Sequence, residues 1–187
     1  PKSCWELYLY DDCTNVVCSL PELRLTGKHA TKHLGRSTKV AVLAATIGQE
    51  LEQHVTALFN NNQYTEGLLL DAAGTAAVES VADQAEMIIK DWCAHYGYTT
   101  TTRFSPGYGD WPLNIQQQIV KSCKANEIGI VVTSSYMLIP RKSVTAIIGL
   151  QPLHQCENHK NKTNPCKSCT KQACIYRKEL TNDHQNI

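Results

Sequence analysis

Runs of apolar residues mark the strands of this chain. Residues 5–10 and 16–20 are short β-rich runs, and the polar residues between them are typical of a turn. Residues 39–46 (KVAVLAAT) form a continuous apolar run of strand length, which ends just before Gly48. We therefore predict a hairpin at the start of the chain, followed by a buried strand.

Helical periodicity predicts the positions of the helices. A short helix is expected over residues 25–34, and another where Leu51, Val55 and Leu58 recur at helical spacing. Residues 64–96 carry an apolar residue every three or four positions, over a length well beyond that of an average helix, and we predict the central helix there. We expect its buried stripe to comprise Leu69, Ala73, Ala77, Val81, Ala85, Ile88, Trp92 and Tyr96.

The second half of the chain mixes strands with a shaped loop. Residues 98–104 are rich in threonine and predict a strand. Residues 105–112 follow, and their glycines and prolines exclude regular structure. A helix is predicted over residues 112–126, and strands over 128–133 and 143–150.

The order of these elements predicts the fold class. Strands and helices do not alternate as regular βαβ units, so we predict an α+β fold with a central, mostly antiparallel β-sheet and flanking helices. The length of 187 residues suits one domain with a sizeable core. We place that domain over residues 1–150 and a polar, cysteine-rich tail over 151–187.

Charge and cysteine content narrow the functional classes. The 18 basic and 17 acidic residues nearly cancel, so the basic field that attracts nucleic acid or an anionic membrane is missing. The longest apolar runs fall far short of the roughly 20 residues that cross a bilayer. Nine cysteines, an odd number, suit a reducing compartment. We therefore expect a cytoplasmic protein with no nucleic-acid or membrane partner, whose native product begins before Pro1.

Four motifs, in order along the chain, carry a family resemblance. They are Ala44-Ala-Thr-Ile-Gly48, the alanine-rich helix that holds Glu79, Arg103-Phe-Ser-Pro-Gly-Tyr108, and residues 133–144 (TSSYMLIPRKSV). Together they resemble the activation domain of cobalamin-dependent methionine synthase, whose S-adenosylmethionine loop has the pattern Arg-x-x-Pro-Gly-Tyr. The resemblance implies the same fold and an S-adenosylmethionine site on the loop that begins at Arg103.

The resemblance also assigns roles to individual residues. Arg103 would bind the ligand carboxylate with its forked guanidinium. Gly107 would let the backbone approach the ligand, and Tyr108 would offer a ring face to the sulfonium and a hydroxyl for hydrogen bonding. Ser105 would act through its backbone, and Glu79 would face the ammonium or the ribose. An aspartate that the family places near the start of the domain has no counterpart that we identify in this sequence.

Ordinary structural roles stay open for the same residues. The Pro-Gly-Tyr segment also suits a tight turn, with Arg103 paired to a surface acid. Glu79 shares one helical face with Asp83 and Glu86, and such a face is often simply solvated.

The implied function is the reactivation of a methyltransferase. The resemblance implies reductive methylation of cob(II)alamin in a cobalamin-binding methionine synthase or a related corrinoid protein. Electrons would come from an external reductant such as flavodoxin or ferredoxin. We expect no catalytic residue in this chain, because the reduced cobalt of the partner attacks the methyl group. On this hypothesis the chain is a component of the methyltransferase that is inactive without its corrinoid partner.

The tail carries a second candidate site. Cys156, Cys166, Cys169 and Cys174 supply the ligand count for zinc or an iron–sulfur cluster. The same cysteines also suit surface thiols or thiol exchange. An alternative function follows from the tail: a non-catalytic metal-binding interaction module that docks on a corrinoid or iron–sulfur partner.

Overall fold

The computed structural model describes residues 1–153 of the chain, and over that range the fold is α+β with an antiparallel sheet, as predicted. The tail cysteines lie outside these residues. The strands of the described range are β1 (Lys2–Asp11), β2 (Val16–Val17), β3 (Leu23–Arg24), β4 (Lys39–Thr46), β5 (Tyr98–Thr100), β6 (Val131–Val132), β7 (Leu138–Ile139) and β8 (Ser143–Pro152). The α-helices of that range are α1 (Lys28–Leu34), α2 (Glu50–Asn60), α3 (Tyr64–His95) and α4 (Gln116–Ser122).

The main sheet is centred on β4. Within residues 1–153 its six strands run in the order β3-β2-β1-β4-β8-β5, and each neighbouring pair is antiparallel. The strand β4 pairs with β1 on one side and β8 on the other, and its side chains from Val40 to Ala45 are fully buried. A continuous apolar run is what such a strand needs, because helices cover both faces of the sheet.

Alternation along β4 divides the core between the two faces of the sheet. One face packs against α3, in a buried cluster of Ala41, Leu43, Ala85, Ile89, Cys93, Ile148 and Leu150. The other face packs against α1 and α4, in a cluster that includes Val40, Val42, Ala44, Leu34, Trp111, Ile119 and Cys123. The chain therefore has a separate packed layer on each side of one sheet.

The predicted central helix is confirmed, and its expected buried stripe is confirmed only in part. Ala85 is buried, whereas Leu69, Ile88 and Tyr96 are 67%, 58% and 63% exposed. The buried residues of α3 are Gly67, Gly74, Val78, Ala82, Ala85, Glu86, Ile89 and Cys93. Contact with α2 sets this orientation, because a Cβ on Gly74 would lie 2.7 Å from the side chain of Leu51. The many alanines give the helix more than one apolar face, and this close packing selects among them.

The predicted helix over 112–126 is broken in the structure. A 3₁₀ turn over Leu113–Ile115 precedes α4, and a second 3₁₀ turn covers Ala125–Ile128. Between them Lys124 adopts a left-handed conformation with φ 55°, which ends the helix.

Several predicted strands are shorter than expected. The strand predicted over 98–104 forms a ladder only at Tyr98–Thr100, and Phe104 then makes an isolated bridge to Ile147. The strand predicted over 128–133 is reduced to β6, which pairs with β7 outside the main sheet. Among residues 1–153, no helix combines the length and the apolar character that crossing a membrane requires.

Candidate functional site

The segment that carries the loop motif crosses the edge of the sheet beside β8. The backbone N–H of Phe104 donates to the carbonyl of Ile147, and the N–H of Ile147 donates to the carbonyl of Phe104, both at 2.9 Å. Extended backbone sends neighbouring side chains to opposite faces of a sheet. Arg103 therefore lies on the α3 face, and Phe104 lies on the face that packs against α1.

Arg103 is held by a row of acids on α3. Its Nε donates to Glu86 Oε2 at 2.8 Å, and its Nη2 contacts Asp83 and, at 3.4 Å, Glu79. These acids share one helical face, as their spacing predicted. The side chain of Arg103 is 17% exposed and that of Glu86 is 11% exposed, and Glu86 also pairs with Lys90 at 2.6 Å. We call these five residues the ion cluster.

The ion cluster carries a net negative charge. Its three carboxylates face two cations, Arg103 and Lys90, which leaves one negative charge in excess among the described residues of the cluster. Glu79 and Asp83 are 54% and 67% exposed, so solvent reaches the acids on the outer side of Arg103. The structure thus gives Arg103 the acid partners that one interpretation of the sequence expected, and it leaves two of them accessible.

An aromatic stack of the partly buried His33 and Phe104 and the buried Trp111 anchors the loop on the opposite face. The ring of His33 stacks on Phe104 with centroids 4.9 Å apart, and Phe104 stacks on Trp111 at 5.8 Å. Trp111 is 1% exposed. His33 Nε2 lies 2.7 Å from the carbonyl of Thr102, to which it donates. Burial lowers the pKa of His33, although the hydrogen bond to Thr102 and the charge of Glu86 oppose the shift.

Asp110 fastens the end of the loop to the start of α1. Its carboxylate accepts the backbone N–H groups of Lys28 at 2.7 Å and His29 at 3.0 Å, and it pairs with His29 Nδ1 at 3.0 Å. These hydrogen bonds, led by that from the His29 backbone, lower the pKa of Asp110 to about 2. The approach is close, since a Cβ on Gly27 would lie 2.7 Å from Asp110 and one on Gly109 would lie 2.8 Å from His29. Asp110 thus caps a helix from a distant part of the sequence.

The remaining loop residues form a turn between these two anchors. Tyr108 N–H donates to the Ser105 carbonyl at 3.2 Å, and Gly107 N–H donates to the Trp111 carbonyl at 2.8 Å. Gly107 has φ 87°, a conformation that favours glycine. The ring of Tyr108 meets Phe104 edge-on at 6.0 Å and is 54% exposed. Ser105 therefore uses its backbone in the turn, while the ring of Tyr108 lies against Phe104 and is more than half exposed.

Two further motifs meet where β4 ends and β8 begins. Thr46 pairs with Ser143 across the two strands, and Ser143 Oγ donates to Thr46 Oγ1 at 2.9 Å. Lys142 Nζ contacts Thr75 Oγ1 and Asp71 Oδ1 on α3, both at 2.9 Å. Thr75 precedes Glu79 by one helical turn, a rise of about 6 Å along α3.

All four motifs therefore border one stretch of β8. On the side of β5, β8 pairs at Leu150–Pro152 and bridges at Ile147. Within the described range, residues 143–146 have no strand partner on that side. We call this region the β8 edge site: it lies between the loop that starts at Arg103, α3 from Thr75 to Asp83, and the segment that ends at Ser143.

Two clefts of the described residues lie away from this site. One of about 480 Å³ runs along α2 and is lined by residues that include Glu52 and Arg141. The other, of about 410 Å³, lies between β3 and α4 and is lined by residues that include Arg24 and Gln118. Neither of these two clefts is lined by Arg103, Tyr108 or Glu79.

Sequence reasoning missed the residues that hold the loop in place. His33 and Asp110 carried no recognisable signal, because each acts on a partner far away in sequence. Phe104 lies inside the motif and Trp111 lies three residues after it, and these aromatic residues are the one signal in the sequence that pointed to the anchor of the loop.

Comparisons with known proteins bear on the fold. No protein-family profile matches the chain, and no curated protein matches it. Among solved structures, the chain is similar to the MetH reactivation domain bound to AdoHcy, with a TM-score of 0.52 and 18% sequence identity. The match covers 61% of this chain and 40% of that one, so this chain spans well under half of its neighbour's length. At this identity the likeness establishes the fold.

Proposed function

We propose that this chain binds S-adenosylmethionine at the β8 edge site and supports the reductive methylation of cob(II)alamin in a methionine synthase or a related corrinoid protein. The observation that carries the proposal is that four separate motifs contact one another around the start of β8, between Lys142 and Ile147. The fold adds support, because its neighbour was solved with AdoHcy bound.

The charges of the site suit this ligand. S-adenosylmethionine carries an ammonium, a sulfonium and a carboxylate, and therefore one net positive charge at neutral pH. The ion cluster carries one net negative charge. Opposite net charges favour encounter and binding, and the effect weakens with salt at the exposed acids Glu79 and Asp83.

Ligand binding at Arg103 requires an exchange of ion pairs. The guanidinium is engaged by acids, and the exposed ones, Glu79 and Asp83, are the cheapest to displace because water solvates them when they leave. The ligand carboxylate takes their place at Arg103, and the displaced acid becomes available to the ligand ammonium. Glu86 is mostly buried and stays paired to Arg103 Nε, which keeps the guanidinium in place.

The task of the chain's own residues is positioning. When bound, S-adenosylmethionine supplies an electrophilic methyl group to the partner's cobalt, which an external donor such as flavodoxin or ferredoxin reduces. Arg103 orients the carboxylate end, and Tyr108 offers its exposed ring to the positively charged sulfonium. Gly107 gives the loop the left-handed turn that places Tyr108 at the surface. No proton transfer by this chain is required.

The engagement of Arg103 by three acids also favours a second candidate function. In that case the ion cluster is purely structural, and the chain is a non-catalytic metal-binding interaction module. Its metal, zinc or an iron–sulfur cluster, would be held by the tail residues Cys156, Cys166, Cys169 and Cys174. Elemental analysis of anaerobically prepared protein tests the metal. Protein with neither zinc nor iron removes this candidate.

A reactivation assay tests the proposed function. Oxidised cob(II)alamin methionine synthase lacking its own activation domain is mixed with this protein, S-adenosylmethionine and a low-potential reductant. Visible absorbance then follows the formation of methylcobalamin. We expect recovery only when protein and ligand are both present, and slower recovery with Arg103→Ala or Tyr108→Phe. The exposed Arg36, beside the opposite end of β8, supplies the matched control Arg36→Ala, which should recover like wild type. Equal recovery without the protein would reject the proposal.

A further inference from the structure

The first strand and the turn after α4 are held face to face. Glu6 and Tyr8 lie two residues apart on β1 and therefore point to the same side of the sheet. Tyr8 Oη donates to the carbonyl of Ser122 at 2.6 Å, and Lys124 Nζ pairs with Glu6 Oε1 at 2.8 Å. These contacts fix the turn against β1 on both sides of position 123.

The next residue on that side of β1 is Cys4, and it meets Cys123. Cys4 is partly buried and packs against the cluster that contains Cys123, which is 1% exposed. Cys123 Sγ donates to the carbonyl of Ile119 at 3.2 Å, and the Cys4 and Cys123 side chains are close enough to influence each other's ionisation. Neither thiol is in a disulfide, so two reduced sulfurs share this contact, and the partly buried Cys4 is within reach of small solutes.

The environment gives the two thiols different roles. Interaction with the Cys123 side chain lowers the pKa of Cys4, against the opposing effect of burial. The same interaction and burial raise the pKa of Cys123. Cys4 is therefore the thiol that ionises and attacks, and Cys123 is the buried thiol that can resolve the product.

We propose that Cys4 and Cys123 form a redox-active dithiol that closes to a disulfide when hydrogen peroxide reaches Cys4. The Cys4 thiolate attacks one peroxide oxygen: an S–O bond forms, the O–O bond breaks, and hydroxide leaves as water after taking a proton. The Cys123 sulfur then attacks the Cys4 sulfenic acid: an S–S bond forms, the S–O bond breaks, and a second water leaves with the Cys123 proton. The two thiols lose two electrons and two protons in total, and peroxide is reduced to two waters.

This site is separate from the proposed ligand site. Cys4 lies on β1, which is separated from β8 by β4, and its contacts belong to the α4 face of the sheet. The disulfide would tie β1 to the turn after α4. Success or failure of this proposal therefore leaves the proposed function untouched.

Peptide mapping tests the pairing directly. The full chain is treated with stoichiometric hydrogen peroxide, unfolded, alkylated, digested and analysed by mass spectrometry. We expect one cross-linked pair joining the peptides that contain Cys4 and Cys123, lost on treatment with dithiothreitol. Cys93, buried on the other face of the sheet, should remain alkylated and is the internal control. The proposal would be overturned if Cys123 stays free after peroxide treatment. In that case Cys4 would be either unmodified or oxidised to the sulfinic acid.

A second measurement compares the alkylation of Cys4 with that of an exposed cysteine. The pH midpoint for alkylation of Cys4 in wild-type protein should lie below that of the exposed Cys13, because the charge of Asp12 raises the pKa of Cys13. In Cys123→Ala the Cys4 midpoint should rise, and peroxide should drive Cys4 to the sulfinic acid. A wild-type Cys4 midpoint at or above that of Cys13 would contradict the assigned roles.

Discussion

The two sides of the loop segment 103–111 differ sharply in chemistry. On the α3 side, Arg103 meets carboxylates, two of which are more than half exposed. On the α1 side, Phe104 stacks with the partly buried His33 and with the buried Trp111. One side therefore fixes the backbone, and the other carries the ion pairs that, in our proposal, the ligand replaces.

The expected energies of the two sides differ in the same way. Truncating a buried aromatic side chain costs about 3 to 5 kcal/mol, because contacts are lost and a cavity remains. The pairs of Arg103 with the exposed acids Glu79 and Asp83 contribute about 0 to 1 kcal/mol each, and the mostly buried pair with Glu86 is not displaced by the ligand. We therefore expect the aromatic side to control stability and the ion cluster to control ligand binding.

The largest effect is expected for Trp111→Ala. It should lower the free energy of unfolding by about 3 to 5 kcal/mol, measured by urea denaturation. Trp111→Phe is the matched control and should cost much less, since Trp111 Nε1 has no hydrogen-bond partner among the described residues and its loss leaves no group unpaired. A loss below about 1 kcal/mol for Trp111→Ala would show that this layer does not anchor the loop.

The next effect concerns ligand affinity. Arg103→Ala should weaken S-adenosylmethionine binding by about 1.5 to 3 kcal/mol, the range for a hydrogen bond to a charged group. Arg103→Lys keeps the charge but loses the fork, so it should fall between the alanine variant and wild type. The measurement is calorimetric titration, with Arg36→Ala as the control. Unchanged affinity in Arg103→Ala would place the ligand elsewhere.

The smallest expected effect is the pH dependence of folding stability that His33 causes. The pKa of His33 is lowered in the folded state, so the unfolded state binds more protons below its ordinary pKa of 6.5. The contribution to stability is complete above pH 6.5 and is lost progressively as the pH falls through and below that value. His33→Phe keeps the stack on Phe104 and removes the proton site. Stability curves from pH 5 to 8 should therefore be flatter in His33→Phe than in wild type, and parallel curves would contradict the assignment.

The fold was largely predictable because its main elements have strong local patterns. The continuous apolar run over residues 39–46 predicts a strand, and β4 has the same bounds. The helical periodicity over residues 64–96 predicts a long helix, and α3 ends one residue earlier. The orientation of α3 was not predictable, because alanines give the helix more than one apolar face and contact with α2 selects among them. The left-handed Lys124, which breaks the predicted helix, occurs at a residue with no preference for that conformation.

The candidate site was predictable in its residue types but not in its pairings. The spacing of Glu79, Asp83 and Glu86 is enough to predict that they share one face of the helix. Their contact with Arg103 depends on where the loop crosses the sheet edge, and the contact of Asp110 with α1 joins residues about 80 positions apart. Such contacts depend on how distant strands pair in the sheet, and a local sequence pattern does not predict that pairing.

Calorimetric titration with S-adenosylmethionine asks whether the loop that starts at Arg103 binds this ligand. We expect a saturable signal whose affinity falls as salt is raised, because the exposed acids of the ion cluster contribute to binding. Arg103→Ala should lose most of that signal, and Arg36→Ala should retain it. Absence of any saturable signal at millimolar ligand would contradict the claim that the loop starting at Arg103 is a ligand-binding element.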